Sequence, residues 1–121
     1  MRGSALLFVV VLGMIIGSFT SVPAQTKKGK CLLVVDGKTY ISGKCRIVMD
    51  FENDGGGSFE ILEIRKGRGQ YFAQVLVSGR DAAVGYWNGE RLATHAHSQL
   101  GDLKRDGACW KNERARVCAW K

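Results

Sequence analysis

The four cysteines constrain this chain more than any other sequence feature. They are Cys31, Cys45, Cys109 and Cys118, so 13 residues separate the first two and 8 separate the last two. Structural zinc sites usually draw two ligands from positions about two to four residues apart, and neither spacing fits that pattern. The sequence also lacks the C-x-x-C motif of thiol–disulfide oxidoreductases. The cysteines therefore predict structural cross-links, provided that the chain folds in an oxidising compartment.

The N-terminal residues predict that compartment. Arg2 precedes an apolar run at 5–16, and small, turn-forming residues follow it, which is the arrangement of a secretory signal peptide. Val22 and Ala24 suit the positions that signal peptidase recognises, so residues 1–24 are predicted to be removed before Gln25. A membrane anchor is the alternative, but a span needs about 20 apolar residues and this run is shorter. We expect a periplasmic or secreted protein with no transmembrane segment in the mature chain.

In an exported chain, four cysteines favour two disulfides. The mature chain of 97 residues has a small core, and small exported domains often depend on cross-links. We predict the pairs Cys31–Cys45 and Cys109–Cys118, because each pair flanks a short, turn-containing segment near one end of the chain. Closing a loop of about 15 residues is worth about 3 kcal/mol in the chain-entropy description. The longer-range pairings stay open on sequence grounds.

Short β-rich segments separated by turns fill the rest of the chain. Residues 25–30, QTKKGK, are polar and basic and predict a flexible start. Beyond them apolar and polar residues alternate, and turn signals such as Asp36-Gly37 recur about every 8–12 residues. This pattern predicts one all-β domain over residues 31–121. Its architecture would be a small antiparallel β-barrel, roll or sandwich with two disulfides.

Two C-terminal segments differ in how clearly they predict structure. Over residues 90–103, Leu92 and Leu100 fit a helical spacing as well as one face of a strand. Thr94 and the neighbouring histidines favour extended structure there. Residues 108–121 predict a hairpin that brings its two cysteines opposite each other.

The sequence offers few residues for catalysis. His95 and His97 would share one face of a strand and could approach one metal ion, but no third ligand stands at a telling spacing. The sequence contains no G-x-S-x-G motif, and oxidised cysteines supply no thiolate nucleophile. We therefore expect a protein that is not an enzyme, with no metal and no cofactor.

Basic and aromatic residues are concentrated toward the C-terminus. Without Arg2, 17 basic and 11 acidic side chains remain, a net charge of +6. Cations beside aromatic faces suit an anionic partner such as a glycan, a lipid headgroup or an acidic protein surface, and export disfavours nucleic acid. The alternative is that the tryptophans fill the core while the cations solubilise the surface. The predicted binding residues are Tyr86, Trp87, His95, His97, Arg105, Trp110, Arg114 and Arg116.

Several short motifs in this region resemble a known group of proteins. They are Gly85-Tyr86-Trp87-Asn88-Gly89, His95-Ala96-His97, Leu100-Gly101-x-Leu103, Arg105-Asp106-Gly107-Ala108-Cys109-Trp110 and Cys118-Ala119-Trp120. Together they resemble uncharacterised small exported proteins of Gram-negative bacteria that contain disulfides. The resemblance implies a shared compartment and fold and supplies no catalytic residues. A looser similarity is to periplasmic lysozyme inhibitors, of whose inhibitory loop Ser78-Gly79-Arg80 matches only a fragment.

These features favour a binding function over catalysis. We expect a small exported, non-enzymatic binding protein of the bacterial envelope with an anionic or protein partner. A periplasmic inhibitor of lysozyme or another hydrolase is one alternative, although a basic protein is poorly matched in charge to basic lysozyme. A small metal-dependent hydrolase is the other.

Overall fold

A closed β-barrel forms the part of the chain that the structure describes. The computed structural model describes residues 25–50 and 56–121. All regular structure there is β-strand, and eight antiparallel strands close into one barrel. The predicted all-β fold is confirmed, and of the three predicted architectures it is the barrel. The predicted signal peptide, residues 1–24, lies outside the described residues.

The strands follow chain order around the barrel, and the last strand pairs with the first. Each strand therefore neighbours the strands before and after it in sequence. Their bounds are β1 Gln25–Val35, β2 Lys38–Met49, β3 Phe59–Glu63, β4 Phe72–Gly79, β5 Ala82–Trp87, β6 Ser98–Asp106, β7 Cys109–Lys111 and β8 Ala115–Trp120. Among the described residues there is no helix long and apolar enough to cross a membrane.

The barrel interior is filled by the apolar side chains that alternate along the strands. Leu33, Ile47, Ile61, Val75 and Val117 come from five different strands and have no exposed surface. An eight-stranded barrel is just wide enough for such side chains to fill. Burial of this apolar surface is the main force that closes the sheet.

The first strand begins earlier than the sequence predicts. The predicted flexible start, residues 25–30, forms the first half of β1 and pairs with β2 from Met49 to Lys44. Strand pairing uses backbone groups, so polar side chains do not prevent it, and the lysines here point to solvent. The predicted hairpin turn lies at Asp36-Gly37, where φ is 51° and 81°. Positive φ at both positions is what a two-residue hairpin turn of type I′ requires.

Both predicted disulfides are present. Cys31–Cys45 joins β1 to β2 with a Cα–Cα distance of 5.8 Å, and both cysteines lie in the core. Cys109–Cys118 joins β7 to β8 between directly opposite residues, with a Cα–Cα distance of 4.0 Å. Two disulfides are consistent with an oxidising extracellular or periplasmic compartment.

The ambiguous segment 90–103 divides into a loop and a strand. The predicted extended structure is right from Ser98, where β6 begins, and wrong before it. The Asn88 side chain donates hydrogen bonds to the carbonyl oxygens of Glu90 and Ala93, and these bonds fold the chain between β5 and β6 into a loop. His95 and His97 therefore lie on a loop rather than on a strand face, which corrects the geometry assumed for a shared metal ion.

The antiparallel order gives the barrel two distinct ends. The upper end carries the turn at 36–37, the loops 64–71 and 88–97, and the turn at 112–114. The lower end carries Gly56 and Gly57, the turns at 80–81 and 107–108, and the C-terminal residue Lys121.

Candidate binding site

A cavity of about 540 Å³ opens at the lower end of the barrel and is called here the lower mouth. It is formed where β2, β4, β6 and β8 end and where β3 and β7 begin. Its walls include Met49, Phe59, Val77, Trp110 and Ala119. Of these, Phe59 and Trp110 are core residues, and the other three are half-buried at the barrel opening. The walls therefore offer an apolar surface continuous with the barrel core.

The rim of the lower mouth is cationic. Arg80, Arg105 and Lys121 line it, and within residues 25–50 and 56–121 no acidic residue does. Among the described residues none of these three cations forms a salt bridge, whereas Lys111 and Arg116 both lie within 4.0 Å of an Asp106 oxygen. In the described part of the chain the Arg105 guanidinium donates one hydrogen bond, from Nε to the carbonyl oxygen of Gly107 at 3.4 Å. The rim charges are thus available to an anion.

Two local features position the rim. The β4–β5 pairing shifts register between Val77 and Gly79, which leads the chain into the exposed turn that carries Arg80. Asp81 in that turn accepts a hydrogen bond from the backbone N–H of Arg105 at 2.9 Å. This bond holds the β4–β5 turn against β6, so Arg80 and Arg105 lie on the same side of the mouth.

The lower mouth brings together only two of the eight predicted binding residues, Arg105 and Trp110. Trp87 is only 7% exposed and packs at the upper end of the core, with its ring centroid 4.6 Å from that of Tyr40. Tyr86 is half-buried and alternates with Trp87 and Gly85, which places it on the outer face of β5. The aromatic pair 86–87 is thus divided between the outer surface and the core.

Arg114 and Arg116 lie on another side of the barrel and make structural contacts. The Arg114 guanidinium donates to both carboxylate oxygens of Asp36 at 3.1 Å and to the carbonyl oxygen of Gln99 at 2.8 Å. The hydrogen bonds from Arg114 hold the pKa of the Asp36 carboxyl below its ordinary value. Arg114 therefore fastens the β7–β8 turn to the β1–β2 turn. Arg116 lies 3.7 Å from Asp106.

The two histidines line a shallow groove on the outer face of β3 and β4. Both are exposed, and the groove also includes Glu60 and Gln74. The Nδ1 atom of His95 lies 3.0 Å from the hydroxyl oxygen of Thr94. Within residues 25–50 and 56–121, no group of three His, Cys, Asp or Glu side chains is arranged to hold a metal ion.

The upper end contains residues that the sequence pattern did not single out. Arg91 donates to both carboxylate oxygens of Glu63 at 2.9 and 2.8 Å, and its guanidinium carbon lies 4.7 Å from the Tyr71 ring centroid. Asn88 is 1% exposed and bonds to β4 and to its own loop. At the lower mouth the pattern likewise missed Arg80 and Lys121. The one available signal is that both cations lie at strand ends, beside a turn or at the C-terminus.

The two half-buried carboxylates of β3, Glu60 and Glu63, are expected to affect the stability of the fold in opposite directions. Hydrogen bonds from Arg91 lower the pKa of Glu63, whereas burial raises the pKa of Glu60. Because the pKa of Glu63 is lower in the folded protein than in the unfolded chain, the ionised Glu63 stabilises the fold at pH values above the ordinary carboxyl pKa. This stabilisation disappears as the pH falls through the folded-state pKa of Glu63. We expect Glu63→Gln to be less stable than the wild type at pH 7 and Glu60→Gln to be more stable. Urea unfolding at pH 7 and pH 3 measures the stability of each variant relative to the wild type, and both differences should shrink at pH 3. If both variants were stabilised, or both destabilised, at pH 7, the opposite roles of Glu63 and Glu60 would be contradicted.

No protein-family model, curated protein or solved structure matches this chain. What the lower mouth can bind is therefore inferred from its own residues. Their chemistry combines an apolar wall with a cationic rim.

Proposed function

We propose that this chain is a small exported, non-enzymatic binding protein of the bacterial envelope, and that its lower mouth binds an anionic ligand with an apolar portion. The observation that carries the proposal is the position of three cations, Arg80, Arg105 and Lys121, around an apolar cavity, none of which forms a salt bridge with another described residue. An anionic head group would lie at the rim, and the apolar portion would contact Val77 and Trp110.

The size and shape of the cavity support a small ligand. Binding cavities for small molecules usually measure about 300–1,000 Å³ and occur often at the mouths of β-barrels, and about 540 Å³ falls within that range. The closed, disulfide-linked sheet holds the walls in place, so little ordering is required when a ligand binds.

The charge distribution supports an anion rather than a neutral ligand. Hydrogen bonds to a charged group contribute about 1.5–3 kcal/mol each, more than those between neutral groups. The rim offers two guanidinium groups and one ammonium group with no salt-bridge partner among the described residues. The net charge of the mature chain, +6, also attracts anions from a distance.

The proposal is tested by calorimetric titration of the exported protein with dodecanoate and with dodecanol. These probes share an apolar chain and differ in charge, so we expect dodecanoate to bind at least about tenfold more tightly. Arg80→Gln combined with Arg105→Gln should remove that preference. The matched control is Lys104→Gln with Lys111→Gln, which removes the same charge from the outer surface.

Three results would overturn the proposal. They are no binding of either probe, equal affinity for the acid and the alcohol, and an equal loss of affinity in the control variant. The first would show that the cavity does not accept an apolar chain. The second would show that the rim does not recognise charge, and the third that the whole-protein charge, rather than the rim, attracts the acid.

A further inference from the structure

The upper end of the barrel exposes two large apolar side chains. Ile64 is 48% exposed and Leu92 is 62% exposed, and they lie on the loops 64–71 and 88–97. A single exposed apolar side chain is ordinary on a soluble protein. Here two of them occur on loops that are joined by a hydrogen bond.

A backbone hydrogen bond and an ion pair join the two loops. The backbone N–H of Gln70 donates to the carbonyl oxygen of Arg91 at 3.0 Å, and Arg91 forms a bidentate ion pair with Glu63 at the start of the first loop. A Cβ atom at Gly69 would lie only 3.1 Å from the Leu92 side chain and closer still to the Arg91 carbonyl group, so only glycine permits this approach. Leu92 is therefore held against the loop that carries Ile64.

Basic side chains lie on the same two loops, and the acidic side chain among them is Glu90 of the loop 88–97. Arg65, Lys66 and Arg68 are exposed, and the loop 64–71 contains no acidic residue. Arg65 donates from Nη1 to the carbonyl oxygens of Arg68 and Gly69, at 2.8 and 3.2 Å, which folds its own loop into a compact turn. We call this surface the upper tip, and it comprises Ile64, Arg65, Lys66, Arg68 and Leu92.

We propose that the upper tip docks onto an anionic lipid bilayer. Exposed apolar side chains beside lysine and arginine are the combination that inserts shallowly among headgroups while the cations contact lipid phosphates. A stable protein interface buries about 800 Å² on each partner, and two apolar side chains on projecting loops present less than that. Shallow insertion into a bilayer requires no such complementary surface, so the geometry favours lipid over a protein partner.

The proposed docking is separate from ligand binding at the lower mouth. The upper tip and the lower mouth occupy opposite ends of the barrel, so a docked protein keeps its mouth accessible. The two proposals rest on different residues, and either can fail without the other.

Vesicle co-sedimentation of the exported protein tests the docking. The wild-type protein should bind mixed phosphatidylcholine–phosphatidylglycerol vesicles and bind phosphatidylcholine vesicles at least about tenfold more weakly. Ile64→Ser with Leu92→Ser, and separately Lys66→Gln with Arg68→Gln, should each weaken binding about tenfold. All four residues are exposed, so near-UV circular dichroism should show an intact fold in both variants.

Two matched controls locate the effect. Lys27→Gln with Lys28→Gln removes the same charge from the lower half of β1, and Trp120→Ser removes an exposed apolar side chain from the lower end. Both control variants should bind the mixed vesicles as the wild type does. Equal loss in a control, unchanged binding of the Ile64→Ser, Leu92→Ser variant, or full competition by soluble glycerol phosphate would overturn the proposal.

Discussion

Replacing Cys31 and Cys45 together with alanine is expected to lower the free energy of unfolding by about 3 kcal/mol. The bond closes a loop between residues 14 apart in sequence, and without it the unfolded chain regains that freedom. Both cysteines also lie in the core, 1% and 0% exposed, so their loss leaves space beside the buried strands. For a domain of this size a loss of about 3 kcal/mol corresponds to about 15 °C or more in melting temperature.

Urea unfolding of the oxidised variant measures this effect, and the second disulfide supplies the comparison. Cys109→Ala with Cys118→Ala opens a shorter loop, between residues 9 apart, and should cost slightly less. Reduction of the wild-type protein should lower stability at least as much as either variant. A Cys31→Ala, Cys45→Ala variant whose unfolding midpoint equals that of the wild type would show that strand pairing alone holds β1 to β2.

Replacing Asn88 with alanine is expected to cost about 2–4 kcal/mol. Asn88 is 1% exposed, and its Oδ1 accepts a hydrogen bond from the backbone N–H of Phe72 at 3.0 Å. Its Nδ2 group donates to the carbonyl oxygens of Gln70, Glu90 and Ala93. Alanine would leave these backbone groups buried without their partner, which costs more than the net value of the bonds themselves.

Asn88→Asp tests the same site through the pH dependence of the free energy of unfolding. The carboxylate would face three carbonyl oxygens in a buried place, so this variant should be less stable than Asn88→Ala at pH 7. Protonation restores a donor, and the difference should shrink or reverse near pH 3. Urea unfolding at both pH values measures it, and a pH-independent difference between the two variants would contradict the hydrogen-bond assignment.

Asn112 is the matched control for Asn88. Its Nδ2 group donates to the carbonyl oxygens of Leu100 and Asp102, and its Oδ1 accepts from the backbone N–H groups of Arg114 and Ala115. The chemistry is the same, but Asn112 is half-buried, so water can replace the lost bonds. Asn112→Ala should therefore cost only about 1 kcal/mol. Equal costs at the two sites would show that burial does not set the effect.

Local patterns predicted much of the fold because strands and tight turns depend on near neighbours. The alternation around Leu33 and Ile47 indicated which faces are buried, and Asp36-Gly37 indicated the turn between them. The disulfide pairs followed because hairpins bring nearby cysteines together. The pattern failed over residues 90–97, where the buried Asn88 side chain, rather than local periodicity, determines the path of the chain.

The candidate site was harder to predict because its residues come from separate strands. Arg105 and Trp110 were predicted from their chemistry, but nothing local distinguished them from Arg114, which fastens two turns together. Arg80 and Lys121 joined the site only because the barrel closes and brings their strand ends to one mouth.

The sequence by itself determined the basic character of this protein, and it predicted the all-β class and the cysteine pairs that the structure confirms. These properties depend on composition, on spacing and on contacts within a hairpin, all of which are local along the chain. Only the tertiary structure decided that β8 pairs with β1, that Trp87 is buried while Arg105 lines a cavity, and that the loops carrying Ile64 and Leu92 lie at the same end of the barrel. Those outcomes depend on closure of the sheet, which brings together residues far apart in sequence. Closure also places one group of cations around the lower mouth and another on the loop 64–71 at the upper end.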